Sequence, residues 1–181
     1  MRLGRNSNFM DKLILRNKIL ARAKKIKLLL MDCDGVLTDG RLYFSEHGEQ
    51  LKVFHVRDGQ GLATWHKAGF RSGIISGRNA KKILEKRATE IGIHYIKVCS
   101  IDKARDFEDI LRDADVTSDE VAYIGDDIGD ICLMLKVGLP IAVADAVSDV
   151  RFHALYKTKV KGGCGAVREI TDLLLKAKNI N

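Results

Sequence analysis

From residue 27 onward, short apolar runs alternate with helical patterns, and this alternation restricts the fold more than any other feature of the chain. Residues 28–31, 72–75, 94–98, 121–124 and 139–143 are short, apolar and mostly bounded by Gly or Asp. Runs of that kind read as strands buried on both faces. Between them, residues 61–68, 79–91, 103–114 and 127–135 read as helices, with a last helix over 166–178. The alternation predicts an α/β fold, a doubly wound parallel sheet with helices on both faces. A single proline in 181 residues excludes a Pro-rich linker.

One segment breaks the rhythm. Residues 41–44 and 50–56 flank the loop Ser45-Glu46-His47-Gly48-Glu49 and are rich in Tyr, Phe and Val. This reads as a β-hairpin leaving the sheet just after the first strand, at about 41–56. Near the other end, Gly162-Gly163-Cys164-Gly165 reads as a flexible stretch before the last helix.

The formal charge of +7 invites a nucleic-acid or membrane reading, but its distribution argues against both. Residues 1–27 hold nine basic residues against Asp11 alone, whereas residues 28–181 hold 22 basic and 23 acidic residues. The body is close to neutral, so no nucleic-acid partner is expected. No apolar run is long enough to span a membrane, and Arg16, Asn17 and Lys18 interrupt any signal-peptide core. The basic segment has the composition of an organellar transit peptide, yet Leu15, Ile19, Ala23 and Ile26 recur at helical spacing. Residues 1–26 are therefore expected to form a basic helix packed on a domain spanning 27–181. Cys33, Cys99, Cys132 and Cys164 form no Cys-x-x-Cys pair, which suits a reduced, cytoplasmic chain. The five histidines show no metal-ligand spacing.

In a doubly wound sheet, ligands bind outside the carboxyl ends of the strands. Asp32-Cys33-Asp34-Gly35-Val36 follows the first strand, and Ser76-Gly77-Arg78 the second. Lys103 comes after the third, and Gly125-Asp126-Asp127-Ile128-Gly129-Asp130 after the fourth. Carboxylates gathered at one point repel one another, and a hard divalent cation such as Mg²⁺ relieves that repulsion. A carboxylate beside such a cation can attack phosphorus. A second carboxylate two residues on faces the same way and can move a proton to or from the reacting oxygens. A hydroxyl and an ammonium can bind the phosphoryl oxygens. Cys33 is expected to point into the core. Plainer roles exist for several of these residues: a helix cap for Ser76, a solvated surface for Lys103 and Arg78, and a structural ion pair for Arg57 with Asp58.

The ordered set Asp32-x-Asp34, Ser76, Lys103 and Gly125-Asp126-Asp127-x-x-Asp130 resembles the four motifs of the haloacid dehalogenase superfamily of phosphatases. The resemblance implies Asp32 as nucleophile and Asp34 as general acid and base, with Ser76 and Lys103 on the phosphoryl group. It implies Mg²⁺ held by Asp32, the backbone carbonyl of Asp34 and Asp126. Asp127 and Asp130 then stand behind these groups or orient the lysine. Further segments, among them Val56-Arg57-Asp58-Gly59-Gln60-Gly61 and Gly162-Gly163-x-Gly165-Ala166-Val167-Arg168-Glu169, resemble a capless branch of that superfamily. That branch acts on a phosphorylated eight-carbon keto sugar acid in the lipopolysaccharide synthesis of Gram-negative bacteria.

The resemblance implies a homo-oligomer, a tetramer in which the hairpins associate and a neighbour helps close each site. Arg78 and Arg168 are then available to a sugar-acid carboxylate. The branch usually has Arg where this chain has Cys164, so one substrate contact is expected to be missing. The spacing agrees on one point: Asp34 to Ser76 and Ser76 to Lys103 leave no room for a cap domain. Tyr43 and Phe44 on the hairpin are candidate interface residues.

Three other functions compete. The same chemistry could serve a nine-carbon keto sugar acid phosphate. A phospho-accepting signalling receiver also uses acids, a hydroxyl and a lysine on such a sheet, but its acceptor Asp follows the third strand, where this chain has Cys99 and Ser100. A scaffold that has lost catalysis fits poorly with four filled motif positions.

Overall fold

The computed structural model describes residues 3–180, with side chains from Met10 onward. Met1, Arg2 and Asn181, and the side chain of Arg5 in the basic segment, lie outside that description. Six parallel strands form one sheet: β1 (Leu28–Met31), β4 (Arg71–Ile75), β5 (Tyr95–Lys97), β6 (Val121–Gly125), β7 (Leu139–Ala142) and β8 (Tyr156–Lys157). Their spatial order is β5-β4-β1-β6-β7-β8. β1 lies between β4 and β6, with Leu30 opposite Gly73 on one side and Tyr123 on the other. The chain winds outward through β4 and β5, then returns across β1 to β6. The resulting crevice above β1 is the switch point at which such sheets bind ligands.

All four residues of β1 and all five of β6 are buried, because helices cover both faces. α2 (Val56–Lys67) packs on α7 (Ala166–Ala177), with α1 (Leu3–Lys25) and α3 (Lys81–Ile91) beside them. α4 (Lys103–Ala114), α5 (Ile131–Met134) and α6 (Ser148–His153) form a second group. Trp65, Tyr123 and Phe107 are the largest side chains buried in the core. The expected strands, the hairpin and the main helices are present, and β8 and α6 are additions. These two are too short, at two and six residues, to show a period in the sequence.

Four local expectations are revised. β2 (Tyr43–Ser45) and β3 (Gly48–Leu51) pair with Ser45 opposite Gly48, so the turn is the two-residue Glu46-His47 and not a five-residue loop. The second arm ends well before Val56, which instead opens α2 behind the capping ring of His55. Asp58 makes no ion pair with Arg57. Its buried carboxylate accepts the backbone N–H groups of Gly165 (3.2 Å) and Arg168 (2.8 Å), tying α2 to the start of α7. Ile19 and Ala23 in α1, and Ile26 just after it, are buried as expected, but Leu15 is 45% exposed on the wall of an open hollow between α1 and the body.

The glycine cluster is a packing device. A Cβ on Gly162 would lie 1.7 Å from the carbonyl oxygen of Gly35, and the Gly163 N–H donates to Val36 O at 2.9 Å. Only a residue without a side chain allows the two loops to meet so closely.

Replacing Asp58 with Ala strands two buried N–H donors, which costs about 1–3 kcal/mol each. The Asp58→Ala protein is expected to unfold at lower denaturant concentration, with an unchanged m value. An unshifted midpoint would show that the carboxylate does not clamp α2 to α7.

Candidate active site

Each strand end delivers its residue to the crevice. Asp32 follows β1, and its N–H donates to Ile124 O at 3.0 Å, so the sheet ladder continues into the site. The next turn is sharp: Gly35 has φ of +86°, and a Cβ there would fall 2.0 Å from Asp126 Oδ2. Ser76 follows β4 and is buried. Its backbone N–H donates to Lys97 O and its hydroxyl accepts the Arg78 N–H. It does not cap α3, which begins five residues later behind Ala80. Lys103 is the first residue of α4, fixed by Asp102, whose side chain accepts the Arg105 N–H and caps the helix.

Asp130 binds these parts together. One carboxylate oxygen accepts Lys103 Nζ at 2.8 Å and the Tyr123 hydroxyl at 2.6 Å. The other accepts the backbone N–H groups of Asp126 and Asp127. With four donors, this carboxylate is fully engaged. Asp127 caps the short 3-10 turn, Ile128–Asp130, through its own side chain.

Asp32, Asp126 and Asp130 each bring an oxygen to within 4.8 Å of the others. Lys103 Nζ lies 3.2 Å from Asp32 Oδ1 as an ion pair. Oδ1 of Asp32, Oδ1 of Asp126 and Oδ2 of Asp34 are all buried without a hydrogen-bond partner. Burial, with the Asp130 charge beside it, pushes Asp32 up to about 6 against the pull of Lys103. Burial, then Asp130, Asp32 and Asp127, push Asp126 up to about 8. Lys103 is pulled down by burial, but Asp130 and Asp32 outweigh that and hold it above its ordinary value. One ammonium cannot neutralise three crowded carboxylates. The orphaned oxygens of Asp32 and Asp126 fit a hard cation, whereas Asp130 has no oxygen to spare.

The hollow above these groups measures about 380 Å³ and is also lined by Leu42 and Arg78. Arg168 is not on its wall. It pairs with Asp172 at 2.7 Å beside a separate hollow that also holds Arg57 and Cys164. A larger hollow of about 1080 Å³ between α1 and α7 has no carboxylate on its walls among the described residues. Cys33 is buried in the core, where burial, with Asp34 adjacent, pushes its thiol far up.

Two residues at the crevice escaped the sequence reading. Lys52, just beyond β3, is buried. Its ammonium bonds the Asp34 carboxylate and reaches Glu49 at 2.7 Å. No local periodicity reports a contact between a hairpin and a strand-end loop. The one available signal was a lysine flanked by apolar residues in Leu51-Lys52-Val53.

The comparisons with known proteins agree with this geometry. Residues 78–169 match the family model of haloacid dehalogenase-like hydrolases. The 3-deoxy-D-manno-octulosonate 8-phosphate phosphatase KdsC of Escherichia coli K12 is 43% identical over 160 residues, 88% of this chain and 85% of that protein. A crystal structure of the phosphatase of that name from Yersinia pestis superposes with a TM-score of 0.87 at 42% identity, covering 90% of this chain and 88% of that one. The Moraxella catarrhalis phosphatase of the same name, solved with magnesium ion, phosphate ion and a Kdo molecule, gives 0.86 at 37% identity, covering 90% and 93%. The chain belongs to the haloacid dehalogenase superfamily of hydrolases, and within it to the family of the 3-deoxy-D-manno-octulosonate 8-phosphate phosphatases.

The raised carboxyls set the sign of a pH effect. In the unfolded chain Asp32 and Asp126 lose their protons near pH 4, and in the folded chain near 6 and 8. Across that window the unfolded state sheds protons first, so rising pH destabilises the metal-free fold. A cation that binds the ionised pair offsets this. With EDTA, Tm is expected to fall between pH 5 and pH 8, and added Mg²⁺ should raise Tm more at pH 8 than at pH 5. An equal Mg²⁺ effect at both pH values would contradict the crowding of these carboxylates.

Proposed function

We propose that the chain is an Mg²⁺-dependent phosphomonoesterase that hydrolyses 3-deoxy-D-manno-octulosonate 8-phosphate to Kdo and phosphate. The observation that carries this reading is the convergence of Asp32, its ion-pair partner Lys103 and the buried, partnerless Asp126 Oδ1 at the switch point of the sheet. Asp32, Asp126 and the backbone carbonyl of Asp34 are the residues that would hold the cation. When bound, Mg²⁺ supplies positive charge that lets an anionic nucleophile approach an anionic phosphoryl group.

The chain's own groups account for the rest. An Asp32 carboxylate oxygen bonds to phosphorus as the bond from phosphorus to the sugar oxygen breaks, giving an aspartyl phosphate. Asp34 passes a proton to the departing oxygen, which leaves as the free hydroxyl of Kdo. A water then bonds to phosphorus and gives its proton to Asp34. The bond to Asp32 breaks, phosphate departs, and both carboxyls return to their starting states. Lys103 and the Ser76 hydroxyl donate to the phosphoryl oxygens, and Asp130 keeps Lys103 aimed at them.

Arg78 is 40% exposed at the mouth of the hollow, where it pairs with Glu49 at 3.4 Å and would offer its remaining N–H donors to the carboxylate of a sugar acid. Arg168 lies outside this chain's own hollow, so its proposed contact is with substrate in a neighbouring subunit. A homo-oligomer, a tetramer by resemblance, suits a site with no cap domain. The hairpin's Leu42, Tyr43, Phe44 and Leu51 are exposed and offer an apolar face for that association. The enzyme would work in the cytoplasm, where its substrate is made for lipopolysaccharide synthesis.

Purified protein is expected to release phosphate from Kdo 8-phosphate. EDTA should abolish the activity, Mg²⁺ should restore it, and Asp32→Asn should lower it by at least about 10³-fold with the fold intact. Turnover surviving Asp32→Asn would remove the nucleophile. Equal rates on Kdo 8-phosphate, a nine-carbon keto sugar acid phosphate and a simple sugar phosphate would defeat the substrate assignment, and preference for the nine-carbon compound would replace it.

A further inference from the structure

Lys52 is a buried lysine reaching the strand-end site from outside the four motifs. Lysine is almost never buried unless it is paired. Here it is paired twice, with Asp34 and with Glu49 Oε1. Glu49 Oε2 faces Arg78, whose Nε and Nη2 lie 3.4 Å away. Arg78 Nε in turn lies 3.9 Å from Asp34 Oδ2. The four residues form a closed ring of alternating charge: Asp34, Lys52, Glu49, Arg78 and back to Asp34. Two members come from the hairpin and two from the strand-end loops. Burial pulls the Lys52 ammonium down, but its bonds to Asp34 and Glu49 outweigh that and keep it charged.

The ring treats the two oxygens of Asp34 differently. Oδ1 accepts the Lys52 ammonium, and Oδ2 has no hydrogen-bond partner. The positive charge of an ammonium opposes protonation of the oxygen it contacts, so a proton on Asp34 favours Oδ2. We propose that Lys52, braced by Glu49, is a positioning residue that pins one oxygen of Asp34 and turns the other toward the leaving oxygen of the substrate. The hairpin is then part of the proton-transfer machinery as well as a surface feature. The inference rests on Asp34 acting as the general acid. In that step the proton moves from Asp34 Oδ2 to the bridging oxygen as the bond from phosphorus to that oxygen breaks.

The test compares phenyl phosphate with p-nitrophenyl phosphate, two substrates of nearly one shape. The nitro group makes the second leaving oxygen a weak base that departs without a proton. kcat/KM reports steps only through the first irreversible one, transfer to Asp32, so later water attack does not enter. Lys52→Met is expected to lower kcat/KM for phenyl phosphate about tenfold or more, and for p-nitrophenyl phosphate less than about threefold. Lys52→Arg, which keeps a charged donor, should recover most of the loss. Glu49→Gln, which loosens the brace but leaves the ammonium, should show a smaller loss of the same selectivity, and it carries the test if Lys52→Met does not fold. Asp34→Asn, measured in parallel, should show the strongest selectivity. If Asp34→Asn is selective and the Lys52 and Glu49 variants lower both substrates equally, Lys52 is merely structural and the inference fails alone. If Asp34→Asn is not selective, the general-acid reading fails and the inference falls with it.

Discussion

A single buried carboxylate sets the geometry on which the rest of the site depends. Asp130 accepts Lys103, Tyr123 and two backbone N–H groups, and its neighbours are built around that demand. Gly125 must lack a side chain, since a Cβ there would lie 2.6 Å from the Asp130 carboxylate. Tyr123 is fully buried on β6, where only its hydroxyl contact with Asp130 satisfies the oxygen. With Asp130 committed, Lys103 offsets only part of the charge on Asp32 and Asp126. A core packed for its own stability would not leave buried carboxylate oxygens without hydrogen-bond partners, and these oxygens suit a hard cation.

Most of the fold was legible because each strand of the sheet centre is a run of apolar residues ended by a chemically distinctive one. β1 ends before Asp32, β4 before Ser76, and β6 runs into Asp126. α4 begins at Lys103 because Asp102 can cap it, so the cap and the lysine that reaches the crevice are adjacent in sequence as well as in space. Such signals are local, and local signals survive in a bare sequence.

What was not legible depends on contacts between distant segments. Asp58 looks like half of an ion pair with Arg57, and only the arrival of α7 reveals that its partners are backbone amides. The tight Glu46-His47 turn is hidden because no Asn-Gly or Asp-Gly pair marks it, leaving only Gly48 at positive φ just after it. Lys52 was invisible for the same reason. Its charge is hidden from solvent by a hairpin whose docking onto the strand-end loop no periodicity encodes. Leu15 failed in the opposite sense. A helical stripe records which side of a helix is apolar, but not where along its length a hollow separates it from the body.

The close meeting of Gly162 with the carbonyl of Gly35 joins the loop after the first strand to a segment near the end of the chain. Strands β1, β4 and β6 can pair as soon as they exist. The loop carrying Asp32 and Asp34, however, gains its outer wall only when residues 162 and 163 dock against it. It follows that the acidic crevice of a chain under synthesis cannot be completed before a segment near its end has been made. A nascent or truncated polypeptide lacking that segment would hold the motif residues in order along its sequence without holding them in place.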